Sequence, residues 1–308
     1  MNGRGGASPR RATDRRGELA GSLASVAMAV LFACVVILGK RVQAGNLPFV
    51  MLSFRFGCQS LLLFGALLLL RRPLLPDRGE RIPLAVAGSV GYGSEAAFYF
   101  AALNHGSAAA VTLLFYTYPV WVMLVTIALD RRAPQRMLFV ALGLAVAGSA
   151  LVILGSGSAQ ITGVGILLAL CTSFTYTAYL IGTDRHVKTT DPLTAATWLG
   201  VGACAANVVY AFAFGATELP AAGDWWQIVA MALVSAGAFA GMLAGLQLVG
   251  AIRNAIIGVL EPLTVAMLAY MFLDEPVTAA VAAGGALILG GAVVAMLVRT
   301  TRTVEPVV

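Results

Sequence analysis

The stretch GVLEPLTVAMLAYMFLDEP, residues 258–276, places a glutamate and a proline inside an apolar run. A helix needs about 20 apolar residues to cross a bilayer core of about 30 Å, and this run is close to that length. A charge inside the bilayer is costly and faces the bundle interior or water, and a proline removes a backbone donor and kinks the helix. Glu261 and Pro262 therefore indicate a kinked membrane helix whose carboxylate faces the interior.

The composition of the whole chain agrees with a membrane protein. Of its 308 residues, 59% are hydrophobic and 11% are charged, whereas a soluble domain is about a quarter charged. The net charge of +6 does not point to nucleic acid, because the arginines lie between apolar runs. The four cysteines all lie within apolar segments and have no metal-ligand spacing, so neither a metal site nor a nucleic-acid partner is expected.

Ten apolar runs have the length of a transmembrane helix, so the sequence predicts an all-α polytopic membrane protein with ten spans. The gaps between them carry turn residues such as proline, glycine and aspartate. The predicted spans are residues 19–39, 47–70, 82–104, 107–129, 136–155, 161–182, 192–214, 226–249, 253–273 and 277–298.

The basic residues predict which ends of the spans are cytoplasmic. With the N-terminus inside, Lys40 and Arg41 are the only basic residues of the outer loops, and 17 lie in cytoplasmic segments. Both termini are therefore predicted to be cytoplasmic, with residues 1–17 as a disordered basic tail and residues 300–308 as a short second tail. The cytoplasmic set comprises Arg4, Arg10, Arg11, Arg15, Arg16, Arg71, Arg72, Arg78, Arg81, Arg131, Arg132, Arg136, Arg185, Lys188, Arg253, Arg299 and Arg302.

The two halves of the chain resemble each other at a shift of 143 residues. Residues 103–132 align with residues 246–275, and this places Pro119 on Pro262. Five spans in each half is an odd number, so the halves must lie in opposite orientations in the membrane. Such inverted repeats, with a site near the midplane, are a common plan of secondary transporters.

The predicted domains follow from that repeat. A first five-helix repeat covers residues 18–155 and a second covers residues 160–299. The ten spans, an arginine in the second span, the motif TLLFYTYP and the pattern VLEP followed by a second Glu-Pro resemble the EamA-type transporters of the drug/metabolite transporter superfamily. The resemblance implies export of small metabolites such as amino acids across the bacterial inner membrane.

One position departs from the family pattern. Repeats of this type usually end with a proline, an apolar run and a glutamate, and the segment from Pro262 to Glu275 fits. In the first half Arg132 stands at the position of that glutamate, so an acidic role there is not expected.

Three charged residues lie well inside predicted spans and are candidate substrate-binding residues: Arg55, Glu95 and Glu261. Arg55 and Glu95 are at similar depth, so they form an ion pair that staples two spans, or Arg55 holds a substrate carboxylate. Glu261 binds a substrate ammonium group, carries a proton, or is satisfied locally beside a structural hinge. Pro119 and Pro262 are the predicted hinges.

Three tyrosines complete the predicted site, because Tyr99, Tyr118 and Tyr176 lie near mid-span or beside a hinge proline. The chain has no nucleotide-binding loop, no metal cluster and no hydrolase motif, so no cofactor and no enzymatic activity are expected.

The leading hypothesis is a secondary exporter of small amphipathic metabolites that works by alternating access. Its expected partners are the lipid bilayer and a small-molecule substrate, with protons as a candidate coupling ion. A flippase or channel for lipid-like cargo is the alternative on the same fold, and an intramembrane enzyme is a third hypothesis.

Overall fold

The computed structural model describes residues 10–42, 48–106, 108–131, 133–155, 161–273 and 278–298. Within these ranges the regular secondary structure is helical, apart from one antiparallel bridge between Gly106 and Ile161, and short turns and loops connect the helices. The α-helices are α1 (Arg10–Val42), α2 (Phe49–Leu69), α3 (Arg81–Val86), α4 (Ser94–Leu103), α5 (Ala108–Phe115), α6 (Tyr118–Asp130), α7 (Arg136–Gly155), α8 (Gly163–His186), α9 (Pro192–Ala213), α10 (Trp225–Val249), α11 (Ala251–Gly258), α12 (Leu260–Leu273) and α13 (Ala279–Leu297).

Nine helical segments in the described ranges are long and apolar enough to cross a membrane, and each matches one predicted span. The predicted span at 82–104 is different. A wide π-helical stretch, Ala87–Gly93, separates α3 from α4, so this continuous helical run is divided into three pieces. The chain is therefore a polytopic helical membrane protein, and the count of ten spans stays a prediction.

The N-terminal boundary of the first helix differs from the sequence prediction. α1 begins at Arg10, so residues 10–17 are helical rather than disordered as predicted. Alanine and arginine have high helix propensity, and a helix that is already formed extends at little cost. Residues 1–9 and the predicted tail at 300–308 lie outside the described residues, as do Arg132 and Glu275.

Local capping residues set the start of several helices. The Thr162 hydroxyl accepts a hydrogen bond of 3.2 Å from the Gly165 amide at the start of α8. The Asp191 carboxylate accepts one of 3.0 Å from the Leu193 amide, ahead of Pro192 as the first residue of α9. Threonine and aspartate at the N-cap satisfy amides that have no partner within the helix, and proline is favoured at the first position.

Helices of the first half pack mainly on helices of the second half. α1 packs on α10, the run from the π-helical stretch to α4 packs on α8, α2 packs on α9, and α7 packs on α13. α1 of the first half is equivalent to α8 of the second, and the run from the π-helical stretch to α4 is equivalent to α10, so exchange of the halves converts the first pairing into the second. The same exchange leaves the α2–α9 pairing and the α7–α13 pairing unchanged. The packing therefore has the symmetry expected of two equivalent halves.

The contacts at the two ends of α2 show how it is oriented against α9. At one end of α2 the rings of Phe49 and Phe214 stack with centroids 5.5 Å apart. Just beyond the other end of the helix, Arg72 and Asp191 form an ion pair of 3.1 Å. α2 and α9, the second helices of the two halves, are therefore antiparallel.

The contact between α7 and α13 depends on glycine, and substitution there has a large expected effect. A Cβ atom at Gly148 would lie 2.6 Å from the Gly284 carbonyl oxygen, which belongs to a backbone that cannot move aside. Overpacking of this kind costs about 1–3 kcal/mol. We expect Gly148→Leu to lower the midpoint of thermal unfolding in detergent. Gly143→Leu is the matched control on the same helix, because a Cβ atom there meets nothing within 4 Å. Equal midpoints for the two variants would contradict this packing.

Candidate functional site

Two helices are interrupted at equivalent places near the centre of the bundle. α5 ends at Phe115 and α6 begins at Tyr118, while α11 ends at Gly258 and α12 begins at Leu260. A proline follows each break, Pro119 in α6 and Pro262 in α12, and neither can donate to the carbonyl four residues earlier. The predicted hinge prolines therefore lie directly after real interruptions of the helices, and such interruptions are tolerated where they face a protein interior.

Arg55 is buried in α2, and neutral side chains lie beside its guanidinium group. Its Nε atom donates a hydrogen bond of 3.0 Å to the Ser235 hydroxyl of α10, and its guanidinium lies over the Phe56 ring at 5.0 Å. The Tyr92 hydroxyl also lies within hydrogen-bonding reach of the Arg55 side chain, and no ion pair of Arg55 is present among the described residues. A guanidinium group has five N–H donors, so most of the donors of Arg55 are not used by these residues.

Glu95 follows the π-helical stretch in the first turn of α4 and is also buried. Arg55 lies near enough to act on it electrostatically, but no ion pair of 4.0 Å or less joins the two among the residues described here. Nor does the Glu95 carboxylate hydrogen-bond to another described residue. In this structure Arg55 therefore acts on Glu95 electrostatically without direct contact, and its hydrogen-bonding groups are directed to Ser235 and Tyr92.

Glu261 is the second residue of α12 and is partly buried. The buried hydroxyl of Tyr116 lies within hydrogen-bonding reach of its carboxylate, and this hydroxyl has no other hydrogen-bond partner among the described residues. The N-terminus of a helix carries a partial positive charge, which favours a carboxylate at this position. Arg55 is within electrostatic range of Glu261 as well.

A continuous set of aromatic rings joins the Arg55 side of the site to the Glu261 side. Tyr92 contacts Phe239 and Tyr179 with ring centroids 4.5 Å and 5.7 Å apart. Tyr176 then contacts Tyr179 at 5.7 Å and Tyr118 at 4.7 Å. We call this set the aromatic cluster; its members are Phe56, Tyr92, Tyr99, Phe115, Tyr116, Tyr118, Tyr176, Tyr179 and Phe239.

Most hydroxyl groups of the cluster have partners in the protein. Tyr118 donates to the Ala255 carbonyl oxygen at 3.2 Å, which connects the two interrupted helices. Tyr176 and Tyr179 donate to the Met242 sulfur at 3.7 Å and 3.6 Å. The Tyr99 and Thr112 hydroxyl groups are 3.0 Å apart. These partners fix the rings, and the two remaining hydroxyl groups lie beside charged residues, that of Tyr92 beside Arg55 and that of Tyr116 beside Glu261.

A second feature near the site is an apolar cavity of about 380 Å³ beside α4. It lies next to Ser94, whose hydroxyl is 2.6 Å from that of Tyr210. Ser94 directly precedes Glu95, so this cavity and the charged site share one helix. Its lining residues are Phe49, Ser94, Ala97, Phe98, Ala101, Leu168, Tyr210 and Phe214.

Comparison with known proteins identifies the family. The model of the EamA-like transporter family matches the chain twice, over residues 19–154 and over residues 163–297. The chain belongs to the EamA-like transporter family. EamA is a family of the drug/metabolite transporter superfamily, so the resemblance seen in the sequence is confirmed. The protein is a membrane transporter, and its two halves each carry one EamA domain.

Two similar proteins agree with this assignment. An uncharacterized transporter from Archaeoglobus fulgidus is 28% identical over 277 residues, which is 89% of this chain and 96% of the relative. The crystal structure of another protein superposes with a TM-score of 0.77 at 20% identity, over 91% of this chain and 98% of that protein. At that identity the crystal structure shows a shared fold and nothing about substrate.

The EamA-like fold brings the six predicted binding residues into one region. Arg55, Glu95 and Glu261 lie within electrostatic range of one another, and Tyr99, Tyr118 and Tyr176 belong to the aromatic cluster. The sequence-based choice did not include Ser235, Tyr116 or the other rings of the cluster. Tyr92, Tyr116 and Tyr179 were recognisable as tyrosines inside spans, whereas nothing in the sequence distinguishes Ser235 from other serines of apolar helices.

Proposed function

We propose that this EamA-like transporter exports small metabolites, amino acids or related amphipathic solutes, across the bacterial inner membrane by alternating access. The observation that carries the proposal is a set of three charged side chains that lie within electrostatic range of one another, with no contact ion pair among them in the described part of the chain. Charges inside a protein are normally paired, so charges without a contact ion pair are suited to bind a charged ligand.

The charges suit a ligand with both a carboxylate and an ammonium group. Arg55 offers planar N–H donors that match a carboxylate, while Glu261 and the neighbouring Tyr116 hydroxyl can accept hydrogen bonds from an ammonium group. The rings of the aromatic cluster between them provide an apolar surface for a side chain. An α-amino acid has this combination of groups.

Alternating access would arise from two inverted five-helix repeats, residues 18–155 and residues 160–299, with ten spans in total. The antiparallel pairing of α2 with α9 supports the inversion, and the continuous helical run from Arg81 to Leu103 supports a tenth span. The excess of arginine on one side supports cytoplasmic termini. The breaks before Pro119 and Pro262 would be the hinges.

Counterflow exchange in proteoliposomes tests the proposal. Vesicles loaded with one unlabelled amino acid should accumulate the same labelled amino acid well above protein-free vesicles, for at least one member of a panel of neutral, aromatic and basic amino acids. The matched control is Glu218→Gln, which changes an exposed carboxylate far from the site and should exchange normally.

Lipid-like cargo is the second candidate, because the apolar cavity beside α4 could hold an acyl chain. Scrambling of a fluorescent phospholipid by the same vesicles, with no exchange of any amino acid in the panel, would contradict export of metabolites and favour this alternative.

A further inference from the structure

Glu80 is the most highly hydrogen-bonded carboxylate among the residues described. It lies in the helical turn Arg78–Glu80 that precedes α3, outside the membrane-spanning segments, and it is buried. Its carboxylate accepts hydrogen bonds from the backbone amides of Lys188, Thr189 and Thr190, at 2.7, 2.9 and 2.9 Å. The Thr189 hydroxyl donates a fourth, at 3.1 Å. Glu80 thus holds the segment between α8 and α9 to the segment between α2 and α3.

The same hydrogen bonds keep Glu80 ionised. Burial alone would raise the pKa of this carboxyl group, but the hydrogen bonds from residues 188–190 together lower the pKa from its ordinary value of 4.5 to about 2. The stabilisation is therefore fully present above about pH 4.5 and declines only as the pH falls towards 2. These contacts do not change over the physiological pH range.

Other contacts join the same two segments. The Asp77 amide donates to the Thr190 hydroxyl at 3.2 Å, and the Trp198 indole donates to the Leu74 carbonyl oxygen at 2.9 Å. Together with the four hydrogen bonds of Glu80 and the ion pair of Arg72 with Asp191, we call these contacts the loop clamp. The clamp joins one segment from each half of the chain.

The packing below the loop clamp continues along the full length of α2 and α9. A Cβ atom at Gly200 of α9 would lie 2.5 Å from the Ser60 hydroxyl of α2, and the Cys204 thiol is 3.3 Å from the Ser53 carbonyl oxygen. In the same way, a Cβ atom at Gly88 would lie 2.7 Å from the Leu199 carbonyl oxygen. These helices cannot separate at either end without losing close backbone contacts.

We propose that Glu80, acting through the loop clamp, fixes α2, α9 and the run Arg81–Leu103 as one rigid body that stays closed throughout the transport cycle. The moving boundary then lies between this body and the interrupted helices α5–α6 and α11–α12, and not between the two halves of the sequence. The position of that boundary rests on the proposed transport function, whereas the rigidity of the clamp does not.

Distance measurements between spin labels test the inference. Labels at Arg78→Cys and Lys188→Cys, both exposed positions beside the clamp, are introduced after the four native cysteines have been replaced by alanine. A second pair, Arg78→Cys with Arg131→Cys, spans the clamp and the end of α6. Double electron–electron resonance is recorded in proteoliposomes, with and without a mixture of the standard amino acids.

We expect the 78/188 pair to give a single narrow distance distribution under both conditions. In a Glu80→Ala background the distribution should widen by about twofold or more, because the segment 188–190 loses its acceptor and opens locally. Glu80→Gln retains one acceptor oxygen and should widen it less. Glu218→Gln is the control and should leave it unchanged.

Two results would overturn the clamp: a second distance for the 78/188 pair in the otherwise unchanged protein, or a narrow distribution that survives both changes at Glu80. Should Glu80→Ala not yield folded protein, the Glu80→Gln comparison decides alone. The transport function and the placement of the boundary are contradicted if the 78/131 distance does not respond to amino acids and counterflow is absent. The 78/188 distance tests the clamp independently of that result.

Discussion

Glu261→Gln is expected to reduce the rate of net transport driven by a pH gradient by about tenfold or more, while counterflow exchange persists. Glutamine keeps the size and the acceptor oxygen of glutamate but cannot titrate. Glu261 is the second residue of α12, beside the Tyr116 hydroxyl, at a break where the backbone can change shape at low cost. A carboxylate in this place can exchange a proton as the site opens to either side.

Initial rates in proteoliposomes, with and without an imposed pH difference, measure this effect. Tyr116→Phe removes the neighbouring hydroxyl and should slow net transport less than Glu261→Gln. If Glu261→Gln weakens counterflow and net transport together, the carboxylate binds the substrate ammonium group instead of a coupling proton. Normal transport in both assays would remove Glu261 from the site.

Arg55→Ala is expected to reduce exchange by about 30-fold or more, because loss of one partner of a buried, hydrogen-bonded charge pair costs about 2–5 kcal/mol. Under the proposed function, the pair in question forms between the guanidinium group and the substrate carboxylate, since Ser235 and Tyr92 leave part of its five N–H donors unused. Arg55→Lys keeps the charge but loses the planar donors, so an intermediate rate is expected.

Counterflow at several substrate concentrations separates weaker binding from poor folding, which is followed by the thermal unfolding midpoint. Ser235→Ala is the matched control for the arginine, because it removes the anchoring hydroxyl and leaves the charge in place. Exchange by Arg55→Ala at the unmodified rate would assign Arg55 a purely structural role.

The sequence predicted the helices well because their signal is a long apolar run, which a bilayer requires directly. It identified Arg55, Glu95 and Glu261 as interior charges for the same reason, because each interrupts such a run, but it missed the buried Glu80 and Arg253 at the ends of runs. It did not predict the π-helical stretch at 87–93, since the extra width of a helical turn depends on close packing against α9 and leaves no periodic pattern.

Contacts between segments that are distant in the sequence could not be predicted from it either. The hydrogen bonds of Glu80 join residues more than 100 positions apart, and Glu80 stands in a polar loop where a carboxylate is unremarkable. Likewise, the turn of Arg55 towards Ser235 rather than Glu95 is a matter of side-chain direction, which equal depth in the membrane does not determine.

The pairing of helices across the two halves also bears on how the protein is made. A ribosome that has completed α7 has produced helices whose main packing partners, α9, α10 and α13, do not yet exist. The glycine-lined face of α7 therefore lacks its packing partner until α13 has been inserted. Assembly therefore depends on contacts of large sequence separation, and such contacts form late. A nascent chain that stops after its first half would leave these faces uncovered and open to quality-control proteases.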